Sequence, residues 1–149
     1  MTTSIDDIND ELSRKLEILK QERSNCIEIQ HSKVAAVDAT KEYEWEELLS
    51  KIKNDQSGAR YVLIACQVET SHWIGIFIFF GNNDRIRTVE LIDPVEESSF
   101  DPTDLQGQFA KYYPNHSFEL RTIQTDSDTN SSLNLTIENL IEAVRQYQT

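Results

Sequence analysis

The sequence predicts an α+β fold, with helices flanking a mostly antiparallel central sheet. Three observations predict it. Segments near both ends repeat apolar residues at helical spacing, the middle of the chain holds apolar runs of strand length, and "GNND" at 81–84 folds two of those runs back on each other. A length of 149 residues fits one core. Residues 1–41 read as an N-terminal helical and extended extension, and 42–149 as one compact unit.

Each element follows in order. Ile5, Ile8, Leu12, Leu16 and Leu19 lie on one face of an opening helix. Ser4 precedes it as an N-cap, with acids in the first turn. "CIEIQHSKVAAVD" reads as a short extended segment. "EYEWEELLSKIKN" is a helix with Trp45, Leu48, Leu49 and Ile52 on one side, and "DQSG" breaks it. "RYVLIACQV" and "HWIGIFIFF" are strands. "RIRTVELID" is a third, with Ile86, Thr88 and Glu90 alternating against Val89 and Leu91. A loop leads to the short helix "LQGQFAKYYP" and then to the strand "SFELRTIQ". The last helix is "LNLTIENLIEAVRQYQ", with Leu133, Ile137, Leu140, Ile141 and Val144 on one side.

Bulk properties exclude several functions. A net charge of -12 repels phosphate, so no nucleic-acid partner is expected. No apolar run reaches membrane-spanning length, and the N-terminus lacks the pattern of a secretory signal. Cys26 and Cys66 form neither a disulfide framework nor a metal motif, and they read as reduced thiols of an intracellular protein. No cofactor and no metal are expected. Asp126 and Asp128 precede the last helix, where its dipole favours acids. His31 and His116 read as isolated surface residues.

His72 opens one strand of the hairpin and Asp93 closes the other. The midpoint between them falls inside "GNND", so the two should be near neighbours across the ladder. A carboxylate beside an imidazole fixes its tautomer and stabilises its protonated form, which is what nucleophilic catalysis needs.

His72-Trp73 at a strand start, Asp93 after the next strand and Gln124 after a further one together resemble the ubiquitin-like-protein proteases. This is the SUMO-protease family of cysteine peptidases, to which bacterial acetyltransferase effectors are related. The resemblance covers residues 42 to 149 and implies a papain-like, adenain-like cysteine protease fold. It gives His72 the role of general base and Asp93 that of orienting acid. Gln124 becomes the oxyanion-hole glutamine, and Trp73 the aromatic lining the channel for a Gly-Gly tail. Glu90 is a second-choice acid, since the acetyltransferase relatives often use glutamate.

The departure falls on the nucleophile. Where the family has Cys-Gly at a helix start, this sequence has Asn130-Ser131. A thiolate there is stabilised by the helix dipole and the histidine. Asparagine caps a helix well but supplies no such nucleophile. The resemblance therefore implies a pseudoenzyme that binds a ubiquitin-like modifier or another protein. It would act inside a cell, or as a secreted effector within a host cell. The alternatives are an active hydrolase or isopeptidase using Ser131 or Ser132, and an acetyltransferase-effector relative. The sequence sets no oligomeric state.

Overall fold

The computed structural model describes residues 4–55, 57–81, 85–127 and 131–147. The elements run α1 (Ile5–Glu22), α2 (Ile27–Gln30), β1 (Ser32–Asp38), α3 (Glu42–Lys53), β2 (Tyr61–Glu69), β3 (His72–Phe80), β4 (Ile86–Ile92), α4 (Thr103–Tyr112), β5 (Glu119–Arg121) and α5 (Ser132–Tyr147). The five strands form one sheet in the order β1-β2-β3-β4-β5. The "GNND" turn lies mostly outside the described residues, although the Gly81 N–H still donates to the Arg85 carbonyl across its base at 2.7 Å.

The three central strands are antiparallel, and both edge strands pair in parallel. The cause is connectivity. β1 reaches β2 through α3, and β4 reaches β5 through α4. A helical crossover returns the chain in the same direction, whereas a tight turn reverses it.

Helices cover both faces. α1 and α5 pack with Tyr61, Leu63, Phe77 and Phe79 on one face. α3 and α4 pack with Ile64, Ile74, Ile76 and Ile78 on the other. β3, lying between the two layers, is buried at every residue, which explains why "HWIGIFIFF" is continuously apolar rather than alternating. Each fully buried Leu, Ile or Phe contributes roughly 1.5–3 kcal/mol. Gly75 leaves room for α5 to approach, since a Cβ there would meet Leu140 at 3.0 Å. Among the described residues, no helix is long and apolar enough to cross a membrane.

Several expectations need adjusting. "CIEIQHSKVAAVD" divides into the helical turn α2 and the edge strand β1. β1 belongs to the common sheet, and α1 fills the same layer as α5. The strand in "SFELRTIQ" is three residues long. Ile86 shares the α3/α4 face with Val89 and Leu91 rather than alternating with them, because an irregularity at Phe79/Phe80 shifts the β3–β4 register. Ser4 does cap α1, its hydroxyl accepting from the Asp7 N–H at 3.1 Å.

Candidate functional site

The hairpin register fixes where a base and an acid can meet. Gly75 pairs with Ile92, so Asp93 lies diagonally across from His72 on the same face. The His72 Nε2 atom stands 2.8 Å from Asp93 Oδ1. His72 is buried and Asp93 half-buried. Phe100, from the loop before α4, sets its ring against the imidazole edge-on, with centroids 5.8 Å apart.

Asp93 is held ionised. Partial burial alone would raise its pKa, but hydrogen bonds from His72, the Val95 N–H and Ser98 outweigh that and hold it below the usual carboxylate range. An ionised carboxylate only accepts, so Nε2 carries the proton of the neutral ring and Nδ1 keeps its lone pair. Among the described residues, Nδ1 has no hydrogen-bond partner.

The start of α5 is tied to the start of β3 through Ser132, which is 1% exposed. Its hydroxyl donates to the Ser71 carbonyl and accepts from the Trp73 N–H, both at 3.0 Å. These two backbone groups flank His72. The Ser131 hydroxyl donates to Asp126 Oδ2 at 3.2 Å. Asn130 and Asp128 lie outside the described residues.

A second tie holds the segment leading to α5. The buried Asn139 side chain accepts from the Gln124 N–H and donates to the Gln124 carbonyl, both at 3.0 Å. Two residues on, the Asp126 N–H donates to the Pro94 carbonyl at 2.8 Å, and the Glu96 N–H donates to the Asp126 carbonyl at 2.9 Å. The chain before α5 is thus zipped to the loop that carries Asp93. The Gln124 residue itself is exposed.

The structure therefore brings His72 and Asp93 together and sets the start of α5 beside them. Trp73 is buried on the opposite face, in the α1/α5 layer. Glu90 pairs across the ladder with Phe77, also in that layer, and binds Arg121 Nη1 at 2.8 Å, so it points away from His72. Cys66 is buried in the α3/α4 layer, and desolvation pushes its thiol pKa up, with the Asp38 charge adding to the shift. Cys26 caps α2 and contacts Glu28 Oε2 at 3.5 Å. His31 is exposed and His116 half-buried in the turn after α4. Two contributors escape the sequence reading. Phe100 gave no signal. Asn139 gave none either, since it lies about 100° around the helix from the arc of Leu133, Ile137, Leu140, Ile141 and Val144, and only the structure shows that it is buried.

Comparison with known proteins matches solved structures. XopD from Xanthomonas campestris, solved bound to ubiquitin, is 13% identical with a TM-score of 0.58, over 94% of this chain and 78% of that one. The SUMO protease Ulp1, solved with its catalytic cysteine oxidised to a sulfonic acid, is 11% identical with a TM-score of 0.57, over 95% and 66%. AvrA, solved with IP6 and CoA, is 12% identical with a TM-score of 0.58, over 99% and 62%. The chain spans as little as 45% of the length of the structures it matches. No family model and no curated protein matches it. The chain has the fold of the Ulp1-like cysteine proteases.

Proposed function

We propose that this chain is a protein-binding domain on a Ulp1-like protease fold, without peptidase chemistry, and that its partner is a ubiquitin-like modifier. The observation that carries the reading is a base–acid pair with nothing to activate. His72 and Asp93 are in hydrogen-bond contact, yet the position of the family's thiol is Asn130. Cys66 lies in the core and Cys26 just before α2. The Ser132 hydroxyl is already engaged by two backbone groups and shielded from solvent, which opposes its use as a nucleophile. The ubiquitin complex of XopD supports the choice of partner.

In an active site of this layout, Nδ1 would take the proton of an attacking thiol while Asp93 stabilised the imidazolium. Here the pair serves structure, and the surface around it serves binding.

The test pairs binding with reactivity. Ubiquitin and a SUMO-type modifier are titrated into the chain by calorimetry, and ubiquitin-like fusions and a thiol-reactive tail probe are offered to it. The expected outcome is saturable binding of a modifier, no cleavage and no labelling. Cleavage or labelling of the natural sequence would overturn the reading, and so would failure of every modifier to bind. The double variant Asn130→Cys, Ser131→Gly should become reactive to the probe and lose that reactivity when His72→Ala is added.

A further inference from the structure

A cavity of about 590 Å³ opens at the turn end of the β3–β4 hairpin, between the start of β4 and the end of α4. Phe80 pairs with Ile86 there, whereas His72 begins β3 at the opposite end. The cavity is therefore apart from the His72 site and independent of the reading above. Lys53, Arg85 and His116 line it, and its described lining holds no acidic side chain. That composition runs against a chain with 26 acids and only 14 lysines and arginines.

Lys53 ends α3, where the helix dipole favours a cation. Its ammonium donates to the Tyr112 carbonyl at 2.9 Å and lies 4.7 Å from the Tyr113 ring centre, which leaves it further N–H donors. The dipole does not account for Arg85, an exposed residue just before β4, or for half-buried His116. Among the described residues, neither side chain makes a hydrogen bond or an ion pair. Tyr113 is 8% exposed, and its hydroxyl likewise has no hydrogen-bond partner among the described residues. Burial pushes its pKa up to about 12, so the hydroxyl stays a donor. Asp55, in the groove that adjoins the cavity at Lys53 and Tyr113, is already paired with Lys33 at 2.8 Å.

We infer that this cavity binds a phosphorylated small molecule, with Lys53, Arg85, His116 and the Tyr113 hydroxyl around the phosphate and Tyr112 and Ile86 against the carbon skeleton. All four polar groups can donate, and the permanent charges of Lys53 and Arg85 match the charge of about −1.5 to −2 on a phosphate monoester. A carboxylate brings less charge and fewer acceptors. The volume lies in the range of small-molecule sites and exceeds what a bare phosphate fills. The net charge of -12 opposes a nucleic-acid strand, but screening over about 8 Å leaves a single phosphate governed by the groups around it.

Phenyl phosphate, inorganic phosphate, phenol and benzoate, each titrated into the full ¹⁵N-labelled chain, provide the test. The expected result is saturable shifts of the Arg85, Tyr113 and His116 amides with phenyl phosphate, about tenfold weaker binding of inorganic phosphate, and no saturation with phenol or benzoate. Arg85→Gln alters an exposed side chain that holds no structural bond among the described residues, and it should weaken phenyl phosphate about tenfold. Tyr113→Phe should weaken it about threefold. No saturable shift below about 10 mM phenyl phosphate would overturn the inference. Equal binding of benzoate or of inorganic phosphate would also overturn it, as would an affinity unchanged in either variant. Modifier binding at the His72 face is read separately and can fail or hold without affecting this result.

Discussion

The starts of β3 and α5 meet at one place but hold different parts of the proposed site. At β3 a buried imidazole stands against an ionised carboxylate. At α5 the geometry is supported by Ser132 and Asn139, and Asn130 is the position to which the resemblance assigns the thiol. None of the hydrogen bonds holding the two starts together needs a nucleophile. On the proposed reading, the scaffold has lost its reacting atom and kept its shape, because shape and reaction depend on different side chains.

The largest test of that division is Leu140→Ala. It removes the side chain packed over Gly75 and should lower unfolding free energy by about 2–5 kcal/mol, measured by urea denaturation. Ser132→Ala comes next. It strips a buried partner from the Trp73 N–H and the Ser71 carbonyl, at about 1–3 kcal/mol. If Ser132 were a nucleophile, the same variant would also abolish turnover, and that result would erase the contrast between the two helix and strand starts.

Asp93→Asn probes the β3 side. The folded pKa of Asp93 lies below its ordinary value, so its stabilisation is present above that value and is lost as pH falls through the folded one. The natural chain should lose more stability than the variant on acidification from about pH 5 to pH 2. Parallel acid-unfolding curves would show that the pair is not coupled to folding. Ser131→Ala should have the smallest effect, within about 0.5 kcal/mol, because its hydroxyl bonds an exposed aspartate. A larger loss would place more of the support on Ser131 than the contrast allows.

The base–acid half of the site was readable because it is local. A hairpin brings its two ends together by symmetry about its turn, and the spacing of His72 and Asp93 states that symmetry directly. The α5 half was harder to read. Ser132 looked like a candidate nucleophile, because sequence does not show that the backbone on either side of His72 uses both sides of its hydroxyl. Asn139 contacts a segment fifteen residues earlier that has no regular structure, so no periodicity announces the pairing. At the level of the fold, β1 was blurred by its short, alanine-containing sequence. Ile86 was assigned to the wrong face because one irregular residue reverses the parity of everything beyond it.

The double hydrogen bond from Asn139 has a consequence for how this surface can evolve. It recognises the main chain of residue 124 and not its side chain, so the path of the segment is encoded fifteen positions away from where it runs. Residue 124 can therefore drift, and with it whatever the exposed side chain selects, while the route into α5 stays the same. Change at Asn139 has no such latitude. Even replacement by aspartate would set an oxygen against the Gln124 carbonyl in place of a donor, so variation within this corner of the molecule should accumulate at 124 and spare 139.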